Sequence, residues 1–304
     1  LVMVARDTLG THQDPLLTRV GSLTAGTSTT GTGDIVIIED DSLVVRSDGG
    51  QAKYYADGWT LMGLSAQPFW ITDILDGLSN FAVSAGTGEI DLRLLATHAL
   101  LHQTHGIIKT WEFGEDQHFT ADDMEFAGGD DTVSGTGELF IKAESHNWVY
   151  NIGSFGDAVV TDQGAPFLKS YNFDNSLDLA TSDLAALADG YERIELGRLD
   201  HEITELTPSP LNQRTYEAAL LAVPPQNTIE EAEALALILA QKWSGGNVLN
   251  FGDAVFHEIL DIYGDHINVY GDFESKVDKD DVDGNPIFIK GVTIYVATTH
   301  LLKR

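Results

Sequence analysis

A phrase of Gly-Thr-Gly, an acidic residue and alternating aliphatic residues occurs three times in this chain. The copies read GTGDIVI, GTGEIDL and GTGELFI, and they start 55 and then 49 residues apart. Because side chains two apart along a strand share a face, each copy predicts a strand with one aliphatic stripe after a glycine corner. The aligned positions are Gly33, Ile35 and Ile37, then Gly88, Ile90 and Leu92, and finally Gly137, Leu139 and Ile141.

This spacing is too long for the adjacent strands of a hairpin, but it suits the turns of a coil that stacks like on like. We therefore predict an all-β chain, folded as a parallel β-helix (β-solenoid) in which the aligned aliphatic residues form columns.

The charge of the chain restricts its partners. It has 47 Asp and Glu against 17 Lys and Arg, a formal net charge of −30. Such a surface repels phosphate backbones and anionic lipids, so we expect no nucleic-acid partner. No apolar run approaches the length of a spanning helix, which predicts no membrane insertion in this segment. The chain has no cysteine, which excludes disulfides, thiolate catalysis and cysteine zinc sites.

Three passages resemble one family. They are LGTHQDPLLTRVGSLTA, within residues 8–45, FTADDMEFAGGDDTVSGTGELFIKAES, residues 119–145, and LDLATSDLAALADGYERIELGRLD, residues 177–200. In this order they resemble segments of giant bacterial surface proteins of the filamentous-haemagglutinin-like type. The resemblance implies a right-handed parallel β-helix, a place on the bacterial cell surface and an adhesive role. It also implies that the chain is a piece of a longer protein.

We predict three regions. Residues 1–206 form a β-solenoid segment with a short helix near 183–189, which Ser182 caps and Gly190 ends. Residues 207–246 form a Pro-rich linker and a buried helix near 228–243, which begins with a Thr228–Glu231 capping box. Residues 247–304 form further β coils that continue the solenoid, with a bend at Gly291. The apolar helix predicts an interface through Leu235, Leu239 and Trp243.

Three histidines have spacing like that of metal ligands. His98, His102 and His105 stand at i, i+4 and i+7, but they lie in sequence with a strand pattern and lack an H-E-x-x-H motif. Surface or rim histidines are the favoured interpretation.

Two groups of acids suggest chemistry. The doublets Asp122-Asp123 and Asp130-Asp131 would form a glycosidase-like acid pair if adjacent coils stacked them, with Asp122 and Asp130 as the acids of the enzyme alternative. Turn formation is favoured for this phrase. The acidic stretch 278–286 resembles a calcium loop without its final glutamate. Its candidate metal ligands are Asp278, Asp280, Asp281 and Asp283.

These observations predict a non-enzymatic structural and adhesive segment of a very large exported protein, located outside the cell at a bacterial surface. Expected partners are other copies or surface proteins and cell-surface glycans, with calcium as the one cofactor considered. Two alternatives remain open: a β-helical polysaccharide-degrading enzyme, either a glycoside hydrolase or a lyase, and a viral or filament shell subunit.

Overall fold

A computed structural model of the chain describes residues 1–27, 33–47, 80–154, 176–198, 247–276 and 287–296. The helix that lies wholly within these residues is α1 (Thr181–Ala186). The strands are β1 (Val2–Ala5), β2 (Leu16–Thr18), β3 (Ser22–Thr27), β4 (Ile35–Glu39), β5 (Leu43–Arg46), β6 (Phe81–Ala85), β7 (Ile90–Leu94), β8 (Leu100–His105), β9 (Ile107–Thr110), β10 (Gln117–Thr120), β11 (Asp123–Phe126), β12 (Val133–Ser134), β13 (Glu138–Lys142), β14 (Val149–Ile152), β15 (Ser176–Leu179), β16 (Arg193–Gly197), β17 (Val248–Phe251), β18 (Ala254–Phe256), β19 (Ile259–Val269), β20 (Phe273–Ser275) and β21 (Ile287–Val296).

The strands form one eight-stranded sheet, one eleven-stranded sheet and the pair β18–β20. Every pairing between two of these strands is parallel. The described chain is therefore mostly parallel β-sheet with almost no helix, which confirms the all-β class. None of its helical residues form a segment long and apolar enough to cross a bilayer.

The pairings group the strands into three columns. Column I consists of β2, β4, β7, β10, β13, β16, the first half of β19 and the first half of β21. Column II consists of the start of β3 with β5, β8 and β11, followed by β15, β14, β17 and the second halves of β19 and β21. Column III consists of β1, the end of β3, β6, β9 and β12. From β4 to β13 the chain enters columns I, II and III in rotation.

Column I contains two rows of inward side chains that pair in register. The first row is Ile35, Ile90, Gln117, Leu139, Ile194 and Leu260, and the second is Ile37, Leu92, Phe119, Ile141, Leu196 and Ile262. All twelve side chains are at most 1% exposed. Burying each large apolar side chain stabilises the fold by roughly 1.5–3 kcal/mol before chain entropy is counted.

The two spacings between the Gly-Thr-Gly phrases are similar in length, but they contain different numbers of layers. Ile35 pairs directly with Ile90 although 55 residues separate them. Ile90 and Leu139 are separated by β10, where Gln117 takes the aliphatic position. The strand β10 has no Gly-Thr-Gly phrase, so the sequence repeat does not reveal this layer.

The second glycine of each phrase lies against the backbone of another layer. A Cβ on Gly137 would lie 2.5 Å from the Glu115 carbonyl oxygen, and one on Gly88 would lie 2.5 Å from the Asp34 nitrogen. Any side chain at these corners would force the layers apart, which explains why the repeat keeps glycine there.

The helix prediction near 183–189 is wrong in its bounds and in its caps. The helix α1 begins at Thr181 and ends at Ala186. The Asp183 carboxylate, not Ser182, accepts the hydrogen bond from the Ala180 amide, with an N–O distance of 2.9 Å. Leu187 already has an extended backbone, so the helix ends well before Gly190.

The predicted linker and helical insert at 207–246, with Leu235, Leu239 and Trp243, lie outside the described residues. Beyond them β17, β19 and β21 join the eleven-stranded sheet. The strand β21 continues through Gly291, with pairs to β19 on both sides of that glycine, and the bend predicted there stays a prediction. The paired strand β19 changes partner from β16 to β17 near Gly264, the residue that pairs with Gly291.

Candidate functional site

The three histidines with metal-like spacing do not converge. His98 lies in a turn with a φ of 62°, and His105 is exposed at the end of β8. His102 faces Glu125 on the neighbouring strand, with Nε2 and Oε2 3.6 Å apart. Within the described ranges no group of three His, Asp or Glu residues is arranged to hold a metal ion.

The predicted acid pair is not a pair. Asp122 is fully buried and accepts hydrogen bonds from the His98 amide (2.8 Å), the Ser145 amide (2.7 Å) and the Ser145 hydroxyl (2.6 Å). Asp130 is exposed in the turn that follows β11. Asp122 therefore ties layers together, and it is not available to a substrate. The calcium candidates Asp278, Asp280, Asp281 and Asp283 lie outside the described residues.

An acidic cavity of about 760 Å³ lies between α1 and β18. Leu184, Leu187 and Val255 provide apolar surface in its wall. The titratable residues that line it are Asp130, Asp131, Asp189, Asp253, His257, Glu258 and Asp272. We call this set the acidic cavity.

The carboxylates of the acidic cavity have unlike environments. Glu258 is 7% exposed, and burial is the main cause that raises its pKa, with the Asp189 charge adding to it. The His257 backbone amide donates to Glu258 at 3.0 Å. The His257 ring lies 3.1 Å from Asp189, which is largely exposed. A buried carboxyl beside exposed carboxylates suits binding of polyhydroxyl or cationic groups, and it is also a pattern seen in acid–base catalysis.

A second unusual place is the boundary between β11 and β15, which we call the aspartate seam. The two strands pack together, but they are the end strands of different sheets. The strand β15 follows β14 in the chain, yet it lies between β11 and β14. Here the chain returns to fill a layer out of order.

The Asp183 carboxylate accepts hydrogen bonds from two backbone amides at the aspartate seam. Its Oδ1 accepts from Phe126 at 2.7 Å and its Oδ2 from Ala180 at 2.9 Å. The carboxylate, which is 2% exposed, thereby links β11 to the start of α1.

The Asp123 carboxyl group accepts hydrogen bonds from two further backbone amides. Its Oδ1 accepts from the Met124 amide at 2.9 Å and from the Asp178 amide at 3.3 Å. The described residues show no β11–β15 backbone pairing. The carboxylates of Asp123 and Asp183 accept amide hydrogen bonds that backbone carbonyls accept elsewhere in the fold.

The Asp123 carboxyl is itself perturbed. Burial is the largest cause that raises its pKa well above that of an ordinary aspartate, and the nearby charges of Asp178 and Asp183 raise it further. The two backbone amides act in the opposite direction.

Above the aspartate seam an amide ladder runs along the outer face of column II. Asn268 donates to Asn250 at 3.0 Å, Asn250 donates to Asn151 at 3.1 Å, and Asn151 donates to Asp178 at 2.8 Å. We did not predict this ladder from the sequence. A signal was present, because the chain repeats an asparagine between two apolar residues in YNI, LNF and INV.

Comparison with known proteins found no match: no protein-family model, curated protein or solved structure is similar to this chain. The resemblance to filamentous-haemagglutinin-like proteins therefore remains a prediction from three sequence passages.

Proposed function

We propose that this chain is a non-enzymatic structural and adhesive segment of a large exported bacterial surface protein, folded as a right-handed parallel β-helix. Its function is to space and stiffen the parent protein and to contact other copies, surface proteins or cell-surface glycans. Calcium bound by the acidic stretch 278–286 belongs to the same proposal.

The observation that carries the proposal is the unbroken ladder of column I. Its strands pair in register from β2 to β19, and the chain enters three columns in rotation. Parallel layers that saturate each other's backbone groups give a body whose stiffness extends along the stacking axis. A net charge of −30 keeps such a strand-rich surface from adhering to itself.

The absence of cysteine from the sequence allows a direct test of the stacking. Asp91 and His118 pair in adjacent layers, so Asp91→Cys with His118→Cys places two Cα atoms about 5 Å apart, within disulfide range. Asp91→Cys with Phe140→Cys is the matched control, two layers and about 10 Å apart. Oxidation that closes the first pair and leaves the control open supports the stack, and the reverse result contradicts it.

The adhesive role needs its own measurement. Beads coated with the protein are expected to stay on bacterial cells under shear flow better than beads coated with an inert protein. Small-angle scattering is expected to show an elongated particle. A compact particle together with no retention would overturn the proposal.

One observation favours the enzyme alternative: the acidic cavity with its buried Glu258. A β-helical glycoside hydrolase would hydrolyse a neutral polysaccharide, a lyase would cleave a uronate-containing one by elimination, and either would lose that turnover in Glu258→Gln. The change is isosteric, so we expect the fold to be kept, and Glu125→Gln, on a different face, is the control. Turnover that Glu258→Gln abolishes would replace the structural assignment with an enzymatic one.

A further inference from the structure

The aspartate seam concentrates negative charge where the fold has no backbone ladder. Asp123 on β11 faces Asp178 on β15 and Asp183 on α1, and both of these nearby charges are acidic. The neighbouring strand β8 contributes His102, whose ring faces Glu125 on the outer side of β11. From β14, Asn151 donates to Asp178.

Three carboxyl groups this close cannot all ionise without mutual repulsion, and burial removes the water that would screen them. A proton on Asp123 relieves that repulsion. It leaves Asp183, with its two amide donors, as the charged bridge between β11 and α1. Loss of the proton adds a second buried charge at the same boundary.

We propose that the aspartate seam is a proton-controlled boundary: it is closed when Asp123 is protonated, and it loosens, releasing β15 and α1 from β11, when that proton is lost. This inference does not depend on the adhesive function. Under this proposal, local opening begins at β15, the strand that enters the stack out of chain order.

The sign of the pH dependence follows from linkage. The folded state holds the Asp123 proton more tightly than the unfolded chain does, because its pKa is raised. The stabilising contribution is therefore fully present in acid. It is lost as pH rises from the ordinary aspartate value through the raised one.

Amide hydrogen exchange between about pH 4 and about pH 9 tests the proposal, with rates converted to protection factors. Protection of the Phe126 and Asp178 amides should fall with rising pH by up to about tenfold per pH unit, the limit for one proton. Amides of β7 and β10 in column I are the internal reference and should not follow that slope.

Two variants complete the test. Asp123→Asn keeps the shape but cannot ionise, so protection at the aspartate seam should become independent of pH. Glu125→Gln, on the same strand but facing His102, should behave like the unaltered protein. A pH slope that persists in Asp123→Asn, or equal behaviour of seam and column I amides in the unaltered protein, would overturn the proposal.

A second measurement avoids any folding defect of the variant. The Asp123 side-chain carbonyl carbon can be titrated by NMR in the unaltered protein. We expect the midpoint of this titration to lie at a pH well above that of an ordinary aspartate, and an ordinary midpoint would contradict the proposal.

Discussion

Columns I and II are built from the same kind of strand, but they differ in how neighbouring layers are held. Column I has a backbone ladder from β2 to β19, over two rows of buried side chains that are almost all aliphatic. Column II is interrupted between β11 and β15, where the carboxylates of Asp123 and Asp183 accept the facing amides.

The difference follows from chain order. Where each strand pairs with the strand of the previous layer, an alternating apolar strand is sufficient, because backbone groups pair without help from side chains. Where β15 fills a layer out of order, strand geometry leaves amides facing the boundary and side chains must accept them. Those acceptors are carboxylates, so the stability of that layer depends on whether they are protonated.

The largest expected effect tests the packing of column I. Phe119→Ala removes a fully buried ring from the second row, and we expect unfolding to become easier by about 3–5 kcal/mol. Phe113→Ala is the matched control, because Phe113 is 85% exposed and should cost less than about 0.5 kcal/mol. Urea unfolding of both variants measures the difference, and equal losses would contradict the description of column I.

The next effect tests the corners that keep the layers of column I close. Gly137→Ala would place a Cβ 2.5 Å from the Glu115 carbonyl oxygen. We expect a loss of about 1–3 kcal/mol in the free energy of unfolding. Gly21→Ala, where a Cβ meets nothing within 4 Å, should be nearly neutral. Thermal melting of the two proteins compares them, and an unchanged Gly137→Ala variant would show that the layers can separate freely.

The amide ladder tests the upper part of column II. Asn250→Ala removes the middle member, which bonds both Asn151 and Asn268. A loss of about 1–2 kcal/mol is expected, since the two remaining amides are half-buried and lose a partner. Asn80→Ala, in an exposed turn, is the control. If both changes have the same small effect in denaturant titrations, the ladder contributes nothing to stability.

The smallest effect concerns the surface of column I. Arg93 makes a two-point contact with Glu144 at 2.8 and 2.6 Å across the layer between them. Arg93 is nearly half exposed, so Arg93→Gln should cost less than about 1 kcal/mol, and less still in high salt. Arg19→Gln removes a more exposed pair at 3.8 Å and should have no measurable effect. A loss at Arg93 that does not change with salt would mean that the pair is better buried than its exposure indicates.

The sequence allowed column I to be anticipated and left most of the candidate site hidden. Ile35, Ile90 and Leu139 were aligned from the repeat, and all three lie in one row. The layer at β10 was missed because Gln117 breaks the aliphatic pattern. Its amide donates to the Ser134 carbonyl and its oxygen accepts from Tyr191, partners that are distant in sequence.

Acids of both the acidic cavity and the aspartate seam were named from the sequence, but neither place was predicted. Asp122 and Asp123 were both named from the sequence as candidate acids, with turn formation favoured. In the structure Asp122 accepts three hydrogen bonds inside the fold, whereas its neighbour Asp123 has the raised pKa. Two adjacent aspartates look alike in a sequence because their difference lies in which layer each one faces.

Period-two alternation and recurring glycine corners, both written in the sequence, determined that this chain forms parallel strands with aliphatic rows. The alternation and the glycine corners are local features, and strands that have them can pair through their backbones without specific side-chain contacts. Only the tertiary structure decided which layer β15 enters and which acids become buried acceptors. The physical reason is that burial and charge–charge distance depend on neighbours brought together by the whole fold, from places up to about a hundred residues apart in the sequence.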